Sequence, residues 1–413
     1  MPHLAPHIDT VPGSGIRHIF EMSTKLDGIL SLVIGEPDVA VAPHITEAAK
    51  RAWDADATNY TPNGGMTPLR TAIVEKLARE NAVNVDVERV WVTVGATQAL
   101  YQAMTLTLAA GDEALIPDPG YTTFTMGVRM LDARPIPYSL TPERGFLPSI
   151  EELERLVTDR TRVLVVNSPS NPLGSVFPEA VLRELLDFAR RHDLWVISDE
   201  VYEYFTYGEK HVSIASLDDD YRVFTAFSLS KTYAMTGIRV GYLVTPPGLA
   251  PTMRAVQEAT ISCVNTPAQF AAIAAITGDH SPVAAAKAHY RENLLAATAL
   301  LDARGIRYLK PTGAFYLWID VSHVSAGDVA DWAEQFLLTE RVALAPGSAF
   351  GRAGEGWVRA SLATTLEVIT EGLGRIPAPG DAAPAIGEAA IGEAALDAAV
   401  SGKTAFGGTA VGA

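Results

Sequence analysis

Several polar residues recur in this sequence at one kind of place, directly after a short apolar run. Lys231 lies in Ser228-Leu229-Ser230-Lys231, after VFTAF (223–227). Two hydroxyls and an amine there form an anion-binding cluster, or a solvated loop. Asp199 closes LWVIS (194–198) and is followed two residues on by Val201-Tyr202. A carboxylate ending a buried run is costly without a partner, so it meets a ligand, an ion pair or a helix N-terminus. Arg239 and Arg359 sit inside IRVGYLV (238–244) and WVRAS (357–361), and each needs an anion, bound or structural. After VLVV (163–166), two prolines and a glycine pin the turn Asn167–Gly174, holding Asn171 where its amide can meet a ligand. Gly95-Ala96-Thr97 lead from VWVTV (90–94) into a helical pattern; small residues there let backbone N–H groups approach an anion. Tyr121, after ALIPDP (114–119), either stacks on a flat ligand or packs. Together these pieces specify phosphate anchors, a lysine, a carboxylate, a hydrogen-bonding Asn and Tyr, and a second arginine left for another anion.

The elements that must hold them alternate. Helical periodicity spans 67–80, 97–109, 178–192 and 283–304, and buried apolar runs span 90–94, 113–116, 162–166, 194–198, 223–227 and 238–244. This predicts an α/β fold, a mostly parallel sheet with helices on both faces. In such sheets ligands bind outside the carboxyl ends of the strands, where the polar residues above fall. From 306 onward the order changes to strand (315–320), helix (327–338), strand (341–345) and strand (356–361), predicting a smaller α+β unit. The segment 1–45 has few helical signals and is expected to return onto this unit or onto a neighbouring subunit. After Ile376 the chain is rich in Ala, Gly and Pro, with AIGEA at 385–389 and again at 390–394, and reads as a flexible tail.

Composition removes rivals. The chain has 413 residues, 48% of them hydrophobic and 19% charged, enough for a large buried core. A net charge of -16 opposes general nucleic-acid binding. Cys263 is the single cysteine, so neither an internal disulfide nor a zinc-cysteine cluster forms, which suits a reducing compartment. No apolar stretch reaches the ~20 residues of a membrane span, and no secretory signal opens the chain, so the cytoplasm is expected. The nine histidines show no metal-ligand spacing, and no nucleophile elbow, Walker A loop or dinucleotide fingerprint occurs in the needed context.

The ordered series Asn171-Pro-Leu-Gly174, Asp199-Glu-Val-Tyr202, Ser228-Leu-Ser-Lys231 and Arg239-Val-Gly-Tyr242 resembles the pyridoxal-phosphate-dependent class I/II aminotransferases of fold type I. The likeness runs from about residue 11 to 376 and includes Gly35-Glu-Pro-Asp38, Tyr60-Thr-Pro-Asn-Gly-Gly65, Pro311-Thr-Gly-Ala-Phe315 and Pro346-Gly-Ser-Ala-Phe350. It implies a seven-stranded-type sheet. It also implies an N-terminal arm contributing to the small domain over 1–45, a large cofactor-binding domain over 46–280, a small C-terminal domain over 281–376 and the tail over 377–413. It implies that Lys231 holds pyridoxal 5'-phosphate as a Schiff base and moves the proton between Cα and C4′. Asp199 would pair with the ring nitrogen, and Asn171 and Tyr202 with the ring 3-oxygen. Ser228, Arg239 and the Gly95-Ala96-Thr97 turn would hold the phosphate, with Ser230 close by, and Tyr121 would stack on the ring. Arg359 would clamp the substrate α-carboxylate, with Asn171 and a backbone N–H near Gly35. Tyr60 would reach the phosphate of the partner subunit, making the active sites of a homodimer shared.

The expected activity is transfer of an amino group from an L-amino acid to a 2-oxo acid by a ping-pong route. Neither metal, nucleic acid nor membrane takes part. A PLP-dependent lyase, cyclase or oxidase reaction on the same scaffold is the alternative. A regulator built on such a domain would add a basic DNA-binding module, and none is evident. Thr97 stands where bacterial aspartate aminotransferases often carry a lysine for the distal carboxylate, which tilts the expectation toward neutral or aromatic donors.

Overall fold

The computed structural model describes residues 3–208 and 210–381. The expected tail therefore lies, from 382 on, outside the described residues, and both AIGEA repeats with it. Among the described residues the strands are β1 (Leu30–Ser31), β2 (Val90–Thr93), β3 (Glu113–Asp118), β4 (Arg134–Ser139), β5 (Thr161–Asn167), β6 (Trp195–Asp199), β7 (Val223–Ser228), β8 (Gly241–Val244), β9 (Tyr308–Leu309), β10 (Tyr316–Asp320), β11 (Val342–Ala343), β12 (Ala345–Pro346) and β13 (Trp357–Ser361).

Seven strands form one sheet in the order β2-β8-β7-β6-β5-β3-β4. Only β8 runs against its neighbours; the other pairings are parallel. The apolar runs are continuous because both faces are covered. Val163, Val165 and Ile197 pack with Ala99, Leu100 and Ala103 of the helix Gly95–Thr107. Leu164, Val166 and Val196 pack instead with Leu182, Leu185 and Leu186 of the helix Glu179–Arg191. Alternate residues of one strand thus serve two opposite cores, as the two-residue strand period requires. The edge strand β4 (RPIPYS) has no counterpart among the apolar runs, because two of its six residues are proline. Proline lacks the N–H a central strand must donate, and an edge position tolerates that.

A second sheet, β12-β13-β10-β9, is antiparallel throughout. Its Trp318 and Trp357 rings stack at 6.0 Å. The N-terminal segment does return to this part of the chain, since β1 pairs in parallel with β11. It is more helical than expected, however, with helices at Gly15–Ser23 and Pro43–Asp54. Ser14 caps the first, its Oγ accepting from Arg17 N. Pro43 occupies the first turn of the second, where its missing N–H costs nothing.

The carboxyl edge of the large sheet gathers the chemistry. Asn167 is in register with Asp199, and Asp199 with Ala226, so the Asn171 turn, Asp199 and the Ser228–Lys231 segment follow three adjacent strands. Gly241 opens β8 beside them. A Cβ there would lie 2.6 Å from Phe227 O and 2.8 Å from Ala96 N, so only glycine lets the 95–97 turn close against β7 and β8.

Candidate active site

Twelve of the fourteen residues singled out in the sequence line one cavity of about 320 Å³: Gly35, Ala96, Thr97, Tyr121, Asn171, Asp199, Tyr202, Ser228, Ser230, Lys231, Arg239 and Arg359. Gly95 lies just behind its wall, where a Cβ would land on the Arg239 guanidinium. Tyr60 is elsewhere, 92% exposed on the surface. Tyr316, Thr236 and Arg17 also line the cavity and were not singled out.

Lys231 sits on the one-turn helix Leu229–Thr232 that follows β7, with Ser228 Oγ accepting from Ser230 N at 3.0 Å to cap it. Its Nζ donates to Gly35 O at 2.5 Å. Burial and the positive charge of Arg359, with a further push from Arg239, bring the ammonium down to about 8, while Glu36 and Asp199 oppose the shift. The lysine is therefore a buried amine that gives up its proton at modest pH.

Asp199 ends β6 and is 4% exposed. Its Oδ1 accepts from Val201 N at 3.2 Å, and its carbonyl accepts from Asn167 Nδ2 at 3.2 Å. Burial raises its carboxyl to about 7, since the Val201 N–H and the Lys231 charge only partly offset the lost water. Behind it Glu200 is buried and accepts from Ser198 Oγ, Ser213 Oγ and Ile214 N, and lies 2.9 Å from His211 Nε2. These contacts anchor the chain just past Asp199.

Arg239 does not open a strand. β8 starts at Gly241, and Arg239 lies in the preceding turn with φ of 61°. The guanidinium explains the bend: Nη1 donates to Thr236 O at 2.7 Å and to Ser230 Oγ at 3.4 Å, and Nη2 to Val94 O at 3.4 Å. This brings the charge to the N-terminus of the helix Gly95–Thr107. Backbone N–H groups, two serines and a guanidinium then face one spot, a cradle for a phosphate-sized anion.

Arg359 projects from the middle of β13 and is 3% exposed. Nη1 donates to Asn171 Oδ1 at 2.9 Å and Nη2 to Val33 O at 2.5 Å. Its Cζ lies 4.3 Å from the Tyr316 ring centroid and 5.0 Å from that of Phe350. Nε is buried without a partner among the described residues. Neutral carbonyls and ring faces position this cation but do not neutralise it, so it is set to receive an anion. Tyr202 and Tyr316 share a 2.7 Å hydroxyl–hydroxyl hydrogen bond, and burial raises both phenols above their usual range. Tyr121 is braced edge-on by Phe124 at 5.8 Å.

The model of the family described as aminotransferase class I and II matches residues 27–376. An aspartate aminotransferase of Pyrococcus abyssi is 38% identical over 378 residues, covering 90% of this chain and 97% of that protein. An aromatic-amino-acid aminotransferase of Thermococcus litoralis is 37% identical over the same shares. The solved structure of the Thermus thermophilus aspartate aminotransferase with maleate superposes with a TM-score of 0.86 at 34% identity, over 91% of this chain and 99% of that one. The chain belongs to the class I and II aminotransferase family. It is an enzyme that moves amino groups between amino acids and 2-oxo acids, and its cofactor is pyridoxal phosphate. The cavity fits that group: it holds a buried amine of lowered pKa, an anion cradle, a buried carboxyl and a separate un-neutralised arginine. Among the described residues no helix is long and apolar enough to cross a membrane, and no cluster of His, Cys, Asp or Glu could hold a metal.

Proposed function

We propose that this enzyme transfers the amino group of an L-amino acid to a 2-oxo acid in two half-reactions at one site, with the residue roles that follow. Pyridoxal phosphate, when bound, supplies a carbonyl that condenses with amines and a ring that accepts the electron pair left when a Cα–H bond ionises. Lys231 is the residue that holds it, and the freed Nζ then carries the proton to and from the substrate Cα. An amine of pKa about 8 is neutral often enough near neutral pH to serve as that base. Asp199 holds the ring nitrogen, and a positive charge placed there stabilises the carboxylate that burial otherwise penalises. Arg239, Ser228, Ser230 and the Gly95-Ala96-Thr97 turn hold the phosphate. Asn171 and Tyr202 meet the ring oxygen, and Tyr121 covers the ring face.

Arg359 holds the substrate α-carboxylate, assisted by Asn171 and the backbone near Gly35. Its fork fixes the substrate's orientation, and positioning is a large share of the barrier reduction in such reactions. The exposed ring of Tyr60 supports a homodimer in which it completes the site of the partner subunit. We place residues 46–280 in a large cofactor-binding domain, 281–376 in a small domain that 1–45 joins, and the protein in the cytoplasm.

The observation carrying this reading is that Lys231 and Asp199 line the same cavity as two separately held arginines. The test is amino-acid-driven loss of the cofactor's carbonyl-form absorbance. Lys231→Ala is expected to abolish turnover and the borohydride-reducible linkage; turnover at the wild-type rate refutes the Lys231 assignment. Ammonia and pyruvate released without an added 2-oxo acid would instead favour a lyase.

A further inference from the structure

Tyr316 lines the active-site cavity, is 1% exposed, and has no part in the roles assigned above. The pairing of β10 with β13 places it. Trp318 pairs with Arg359 and Tyr316 with Ser361, so the two-residue strand period sets Tyr316 and Arg359 diagonally on one face of the small sheet. The ring accordingly lies against the guanidinium, with Arg359 Cζ 4.3 Å from its centroid. The hydroxyl lies 2.7 Å from that of Tyr202. Gly35 makes room for it: a Cβ there would stand 1.8 Å from Tyr316 Oη, so any other residue at 35 would drive the hydroxyl off its partner.

A phenol has one proton to donate and lone pairs with which to accept. Tyr202 gives its proton to the ring 3-oxygen in the assignment above, so between the two tyrosines Tyr202 accepts and Tyr316 donates. The surroundings favour that direction. Burial raises the Tyr316 phenol, but the Arg359 charge and the bond to Tyr202 oppose the rise, while Tyr121 and Asp199 add to it. The cation against the ring thus eases donation from Tyr316. A hydroxyl that accepts a hydrogen bond in turn donates a stronger one.

We propose that Tyr316 is a positioning residue, whose hydroxyl donates to Tyr202 Oη and so fixes that phenol as a donor to the cofactor's ring oxygen. The inference rests on the preceding assignment of Tyr202. It divides Tyr316 into two parts: the ring packs on the substrate arginine, and the hydroxyl serves the cofactor's oxygen partner. Stronger donation to that oxygen favours its charged form, so the lysine–cofactor linkage gives up its proton at lower pH.

The test is a pH titration of holoenzyme absorbance, together with KM for an L-amino acid. Tyr316→Phe keeps the ring against Arg359 and removes only the hydroxyl. It is expected to raise the midpoint of the absorbance change by about 0.4 to 1 pH unit, the worth of one hydrogen bond, with KM within a few fold of wild type. The same substitution in a Tyr202→Phe background is expected to leave the midpoint where Tyr202→Phe alone puts it. A general loosening of the site would not vanish in that background. If Tyr316→Phe does not load cofactor, 3-fluorotyrosine at 316 carries the test: it is nearly isosteric, its more acidic phenol donates more strongly, and the midpoint is expected to fall. An unmoved midpoint in a loaded variant overturns the proposal, as does an equal shift in the Tyr202→Phe background, or a large rise in KM with no shift. A midpoint indifferent to Tyr202→Phe overturns the Tyr202 assignment itself, and the proposal with it.

Discussion

Arg359→Lys separates substrate recognition from cofactor binding. In the folded enzyme Nη1 and Nη2 are tied back to Asn171 Oδ1 and Val33 O, and the guanidinium lies against Tyr316 and Phe350. Lysine keeps the charge but loses the planar fork and its spread of donors. It cannot hold both tethers and still present two parallel N–H groups to a carboxylate. Losing one charge-assisted hydrogen bond costs about 1.5–3 kcal/mol, or roughly a 10- to 150-fold drop in kcat/KM for the amino-acid half-reaction. The drop should appear mainly as weaker amino-acid binding. Rapid mixing of holoenzyme with increasing L-amino acid reads it as a shifted concentration dependence of the absorbance decay. Cofactor affinity, measured by titrating the cofactor-free protein, should stay within a few fold. Loss of cofactor with intact amino-acid binding would refute the division of labour between Arg359 and Arg239.

Two further outcomes follow from the buried ionisable groups. Condensation with a carbonyl needs the neutral amine, so cofactor uptake by the cofactor-free enzyme should accelerate with pH up to a midpoint near 8 and then level off; continued acceleration toward the ordinary lysine value near 10.5 would contradict the buried, arginine-flanked environment. Asp199 binds its proton more tightly folded, at about 7, than unfolded, at 3.8, so its contribution to the stability of the cofactor-free enzyme is lost as pH rises from about 4 to 7. Asp199→Asn should therefore raise the thermal midpoint of that form near pH 7.5 while weakening the holoenzyme's turnover; a lower midpoint would show that the carboxylate is better compensated than its burial implies.

Lys231, Asp199 and Arg359 were legible because a charge at the end of an apolar run, or within one, is expensive and so conspicuous. Tyr316 was not, because an aromatic inside FYLWID looks like core, and it is core. Only the folded chain brings its hydroxyl to Tyr202 and its ring to Arg359. Arg239 lines the cavity, but from a turn rather than from the strand its sequence suggests. Its apolar neighbours favour a strand, and the bond from Nη1 to Thr236 O bends the chain into a left-handed turn before β8. Arg17 was invisible for a different reason. An arginine in an N-terminal stretch with few helical signals resembles any solvated side chain, and only the folded chain brings it to the cavity wall.

The most direct test of the central claim is to reduce the holoenzyme with borohydride, digest it and locate the cofactor-bearing peptide. The account predicts one modified side chain, Lys231, in wild type and no modified peptide in Lys231→Ala. Label on another lysine, or a reduced adduct that survives the substitution, would contradict it.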